Sequence, residues 1–187
     1  QEIDTHAYVY NEAYYRARCK KCLLKVAETY LVIPTCLVIS NIRCDARHPI
    51  CGGGYVDIYK GHINHSDVCL KVLHLFTDGD TKPREDVRKE FCREVLVWRN
   101  LNHPNVLPFI GINDDLFYSS FCLISPWMND SNLILFLAKH PDHNRMQCIR
   151  EIVNGLHYLH SHEPQVIHAD IRGVGVFLFT GRAGFMT

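Results

Sequence analysis

An α+β fold is predicted for this 187-residue chain, strand-rich in its first half and helical in its second. Three observations carry that prediction. Apolar runs over residues 56–59 and 68–75 have strand character and flank a turn. Apolar residues recur at helical spacing over 83–101 and again over 145–160. Strands come first and helices follow, so two subregions meet near Pro126, Trp127 and Met128.

The elements follow in order. Residues 6–30 read as a helix, with Tyr14, Cys22, Val26 and Tyr30 among its apolar positions and charges between them. Pro34 ends it, because proline cannot continue the hydrogen-bond ladder. Residues 37–39 suggest a short strand. A glycine run, Gly52, Gly53 and Gly54, then precedes Val56, where half-buried alternation begins. Residues 64–67 form a turn, which makes 56–59 and 68–75 a hairpin. Pro83 suits a first helical turn, with Glu85 and Asp86 at its positive end. Val87, Phe91, Val95, Trp98 and Leu101 continue that helix until Asn102, His103 and Pro104 end it. Residues 106–112 and 117–125 read as two more strands. Residues 132–139 form a short helix, and 145–160 a longer one through Met146, Ile149, Val153, Leu156 and Leu159.

Composition narrows the function. Apolar residues are 47% and charged residues 21%, which is ordinary for a packed domain and not for a disordered one. Lysine plus arginine (20) equals aspartate plus glutamate (20), so no net field draws the chain to nucleic acid or an anionic membrane. Nine cysteines, several inside apolar runs, point to free thiols in a reducing cytoplasm. Cys19 and Cys22 form a lone pair without a second pair at zinc spacing, and read as helix-face thiols. Residues 31–39 are too few to span a bilayer, and the acidic start is not a signal peptide. A first residue of Gln rather than Met suggests a piece of something longer.

Three constellations could carry chemistry. Lys71 stands alone in an apolar strand, so its ammonium either faces solvent or is held by an anion. Glu94 shares a helix stripe with Phe91 and Trp98, so its carboxylate faces inward and needs a cation or hydrogen-bond donors, with Lys71 the best local candidate. Glycines at 52–54 let backbone N–H groups approach phosphate oxygens, although three glycines equally make a plain turn. Asp170 could accept a proton from a hydroxyl while Arg172 neutralises transferred charge; the alternative is a surface ion pair. His157, His160, His162 and His168 match no common metal-ligand spacing.

The order of these features resembles the amino-terminal two-thirds of a eukaryotic protein kinase domain, over residues 35–187. Wording such as that of residues 91–99, 107–111, 124–128 and 155–160 is similar to the tyrosine-kinase-like serine/threonine kinases expanded in fungi. The resemblance implies an N-lobe over 35–125, a hinge at 126–128 and a partial C-lobe over 129–187, preceded by a helical extension over 1–34. It implies ATP as ligand and a protein hydroxyl as acceptor. Cys51, Gly52, Gly53, Gly54 and Val56 would form the loop over ATP, and Lys71, held by Glu94, would grip its phosphates. Ser125 would be the gatekeeper, and the backbone of Pro126, Trp127 and Met128 would read adenine. Asp170 would orient the substrate hydroxyl, with Arg172 where these kinases carry lysine.

The departures are equally specific. Cys51 and Val56 replace the first and third loop glycines, and Gly175 replaces the asparagine that binds magnesium. Residues 181–187 resemble the strand ahead of the Asp-Phe-Gly motif, which the chain does not contain. Both usual protein ligands for Mg²⁺ are therefore missing. Losing a general base costs about 10²–10⁴ in rate, and losing every metal ligand should cost at least as much. The expectation is a kinase-derived ATP-binding domain that is inactive or severely impaired, or else a pseudokinase that acts as an interaction module. A further expectation is a partly bare apolar stripe on the 145–160 helix.

Overall fold

The computed structural model describes residues 6–53, 56–74, 84–117, 120–130, 132–179 and 182–185. The elements are α1 (His6–Tyr30), β1 (Ile42–Arg43), β2 (Cys51–Gly52), β3 (Val56–Ile63), β4 (Ser66–His74), α2 (Arg84–Arg99), β5 (Gly111–Asn113) and β6 (Ser120–Pro126). After them come α3 (Leu133–Lys139), α4 (Arg145–Ser161), β7 (Val176–Phe179) and β8 (Arg182–Phe185). This is the protein-kinase-like α+β architecture: an antiparallel sheet with one long helix on it, followed by helices and a small hairpin.

Strand order in the large sheet is β1-β3-β4-β6-β5, with β2 also pairing β3. The β3–β4 hairpin turns through Asn64 at φ 53°, a left-handed position that asparagine tolerates better than most residues. Ser66 and Asp67 join the ladder instead of the turn, because Ile63 already pairs with Ser66. Strand alternation then sorts β4 into two faces. Val68, Leu70 and Val72 are buried with Ile42, Cys122 and Ile124 on one side. Lys71 and Leu73 share the other side with their cross-strand partners Leu123 and Phe121, and that side carries α2. Phe91 of α2 stacks on Phe121 with ring centroids 4.1 Å apart, which seats the helix on the sheet.

The second half is tied to the first through the turn before β5. Asn105 donates from Nδ2 to the Ala183 carbonyl at 2.8 Å, and Leu107 N–H donates to the Phe185 carbonyl at 2.8 Å. Helix α4 buries Cys148, Glu151, Gly155 and Leu159, with Gly155 against the Asn105 backbone and the Phe185 ring. Its outer row is bare, as expected: Met146, Ile149 and Val153 are 67%, 52% and 54% exposed. Among the described residues, no helix is long and apolar enough to cross a membrane.

Two expected strands are shorter than predicted. Residues 37–39 contribute a single parallel bridge, Val38 to Ile112, after a 3-10 turn over Thr35–Leu37. Of 106–112, only the end belongs to β5; Val106 bridges to Phe185, and Pro104 and Pro108 have no N–H with which to extend a ladder. Pro83 and Gly54 lie outside the described residues.

Candidate active site

Lys71 and Glu94 meet. Lys71 Nζ lies 3.2 Å from Glu94 Oε1, with side chains 21% and 29% exposed. Two periodicities bring them together. Lys71 follows the odd-numbered face of β4 toward α2, and Glu94 sits one turn beyond Phe91, which that face already holds. The pair is half-buried rather than desolvated, so it positions charge without the penalty of a fully buried ion. Glu94 also borders a cleft of about 300 Å³ between α2 and residues 165–168.

Cys69 was not singled out from the sequence, yet it shares Lys71's face and pairs across the sheet with Ser125. Burial pushes its thiol up to about 11, opposed by a hydrogen bond from Ser125. Ser125 is itself buried. Counting two residues back from Lys71 is the signal that could have found Cys69.

The glycine loop resolves into separate duties. Cys51 and Gly52 pair with Ile58 and Asp57 of β3, and Gly53 N–H donates to the Val56 carbonyl at 3.0 Å, closing the turn. A Cβ on Gly52 would overlap the Asp57 carboxylate, which is held 3.0 Å from His74 Nε2. Asp57 pairs with Val72, so it lies on the face opposite Lys71. Gly52 is therefore small for Asp57, on the face away from Lys71. A Cβ on Gly53 meets nothing within 4 Å, which leaves that backbone approachable. Val56 lies within β3, opposite Leu73.

Trp127 and Met128 line a groove of about 320 Å³ with Pro108, Pro126 and Leu178, which neither Lys71 nor Glu94 borders. The Trp127 N–H donates to the Asp67 carbonyl at 3.2 Å, so that donor is engaged within the fold and not presented to a base.

The loop after α4 holds Asp170 and Arg172 as an exposed pair, Nη2 to Oδ2 at 2.6 Å. Ala169 is at φ 61°, and Asp170 N–H turns back to the His168 carbonyl at 2.8 Å. His168 packs edge-on against Phe185, centroids 5.0 Å apart. The arrangement can accept a proton at Asp170 once Arg172 moves onto a substrate's charge. Gly175 closes a 3-10 turn, and a Cβ there meets nothing within 4 Å. Among the described residues no group of three or more His, Cys, Asp or Glu side chains is placed to hold a metal ion.

The profile of the family described as protein tyrosine and serine/threonine kinase matches residues 45–182. The chain belongs to that kinase family. It is 28% identical over 130 residues to the probable serine/threonine-protein kinase roco7 of Dictyostelium discoideum, covering 67% of this chain and 5% of that protein. It is 26% identical over 151 residues to the human serine/threonine-protein kinase tousled-like 2, covering 76% of this chain and 19% of the relative. It is 30% identical over 139 residues to the dual specificity protein kinase zakA of Dictyostelium discoideum, covering 67% and 16%. The chain thus spans no more than 19% of the length of these three kinases. In protein kinase domains generally, a strand lysine and a glycine-rich loop are the features that meet nucleotide phosphates.

Proposed function

We propose that this kinase-family chain is an ATP-binding domain of the tyrosine-kinase-like serine/threonine type, with phosphoryl transfer lost or severely weakened. The observation that carries the reading is the 3.2 Å Lys71–Glu94 ion pair. Glu94 holds an ammonium on the α2 side of the sheet, where it can donate to phosphate oxygens; Gly53, its own N–H bonded to the Val56 carbonyl, leaves that stretch of backbone open to close approach. Asp170 is the candidate proton acceptor, Arg172 the candidate charge neutraliser, and Ser125 with Cys69 the candidate wall beside the base.

A divalent metal fits less well. The position that should supply its asparagine oxygen is Gly175, whose surroundings are open and which offers no side-chain ligand. Asp170 is already engaged by Arg172. Phosphoryl transfer depends on neutralising and aligning the phosphates, so weak metal retention lowers turnover while leaving nucleotide binding in place. Nine free thiols support a cytoplasmic setting, and a protein hydroxyl is the acceptor class we propose.

The test is a titration of the purified chain with a fluorescent ATP analogue, with and without Mg²⁺, beside a phosphotransfer assay. Saturable binding that depends little on Mg²⁺ and is abolished in Lys71→Ala is expected. Phosphate transfer should not exceed that of Asp170→Asn. Transfer well above that control would overturn the impaired reading, and absence of binding would overturn the nucleotide reading. A non-catalytic partner-binding role is the second reading, favoured by the exposed row of Met146, Ile149 and Val153 on α4.

A further inference from the structure

Helix α1 precedes the matched kinase residues, which begin at 45, yet it is part of the core. Ala27 is 2% exposed and belongs to the same buried cluster as Phe91, Cys92 and Val95 of α2, with Leu24 and Ile33 packed against it. An alanine at such a position lets two helices approach closely, so α1 lies along α2. Charged contacts extend the seam. Glu28 faces Arg93 at 3.8 Å, directly before Glu94, and Lys21 reaches Glu163 at 2.9 Å beyond the end of α4. Between these, Lys20 and Leu24 line a narrow crevice with Leu96 and Val97 on one wall and Pro164 and Val166 on the other. One helix therefore touches both α2 and the segment that leads into the Asp170 loop.

We propose that α1 is a brace in cis that sets the position of α2 and thereby the Lys71–Glu94 pair, with Leu24 and Ala27 as positioning residues. The physical basis is leverage. Phe91 anchors α2 through Phe121, and Trp98 anchors it two turns on through Nε1 to the Leu107 carbonyl at 2.7 Å, but both contacts lie on one stripe of the helix and leave its other side to be held. Rotation would carry Glu94, one turn on, away from Lys71. Ala27 and Leu24 close the opposite side of α2 and remove that freedom. Because α1 also holds residues 163–166, it keeps the two candidate charge centres, Lys71 and Asp170, in one frame. The functional meaning of the brace rests on the nucleotide reading above, but its geometry does not.

The experiment needs no nucleotide. Lys71 acylation by a small amine-reactive ester is followed by mass spectrometry in the full chain, alongside amide hydrogen exchange. In Leu24→Ala and Ala27→Asp, Lys71 should label about threefold faster or more, the scale of coupling between residues in contact. Amides of β3 and β4 should keep their protection. Introduced into a Glu94→Gln background, the same substitutions should add little, since the pair they support is already gone. Unchanged Lys71 labelling despite loss of α1 protection would overturn the proposal, and so would full additivity with Glu94→Gln. If both α1 variants release the β4 amides together with α1, the helix is ordinary core and the brace is refuted. Failure of ATP binding alone would sink only the nucleotide reading.

Discussion

Glu151, almost wholly buried in α4, accepts a hydrogen bond from the backbone N–H of Ala183 at 2.7 Å. Its second oxygen accepts from Gln147 Nε2, also at 2.7 Å. A carboxylate on the inner face of a helix thus fixes where β8 lies. Glu151→Ala strands the Ala183 N–H in a buried site, which should cost about 1–3 kcal/mol. Glu151→Gln keeps an acceptor and should cost less. Urea denaturation of the three proteins side by side measures both, and equal losses would contradict this assignment.

Two glycines should respond oppositely to the addition of a side chain. A Cβ on Gly155 would lie 2.9 Å from both the Asn105 carbonyl oxygen and the Phe185 ring. Alanine gains about 1 kcal/mol in helix propensity there, but overpacking costs about 1–3 kcal/mol, so Gly155→Ala should lower the melting temperature. Gly175 faces open space, and Gly175→Asn should change stability by no more than about 0.5 kcal/mol. The same substitution supplies the side-chain oxygen that the proposed metal site lacks. Mg²⁺ should then tighten nucleotide binding in Gly175→Asn more than in the unmodified chain, as read by titration.

His103 provides a pH signature. Burial holds its imidazole below the usual range, and its Nδ1 accepts from Asn105 N–H at 3.1 Å while the ring stacks on Tyr158. Folding therefore favours the neutral ring. Its stabilisation is complete above the unfolded pKa of about 6.5. It is lost as pH falls from there toward the lower folded value, because the unfolded chain takes up the proton first. Glu151, His157 and Arg182 line the same cavity and set the background. Denaturation at pH 7.5 and 5.5, estimates that bracket the ordinary histidine range, should show a drop that is smaller in His103→Asn. An identical drop in the variant would assign it elsewhere.

Thiol reactivity should divide by burial. Cys122 is pushed up to about 12 and Cys69 to about 11, chiefly by desolvation, whereas Cys19, Cys22, Cys36 and Cys51 are exposed. At mildly alkaline pH an alkylating agent should modify the exposed four first. Cys69 and Cys122 should react only on unfolding, as peptide mapping would reveal.

The Lys71–Glu94 contact was legible in the sequence because it needs only two periods, two residues in a strand and about four in a helix, starting from known apolar neighbours. The β3–β4 hairpin was legible for the same reason. The extent of β5 was not, since residues 106–110 are apolar for packing while their backbone bonds to β8 and β6 in turn. Nor was the duty of Gly52, because the Asp57 carboxylate that excludes a side chain lies across a strand register no local pattern reveals. For Asp170 and Arg172 the sequence left a proton acceptor with its charge neutraliser and a surface ion pair both open, and the structure shows an exposed ion pair, Oδ2 to Nη2.

Trp127 is clasped from the sheet side. Its backbone N–H is bonded to the Asp67 carbonyl, and Lys60, itself paired with Asp67 at 2.6 Å, stands 5.4 Å from the centre of its ring. The indole therefore moves with the β3–β4 hairpin rather than with the helices that follow. Any swivel between the two halves must pivot downstream of it, around Met128 and Asn129, so breathing of the molecule would flex the chain only after the tryptophan.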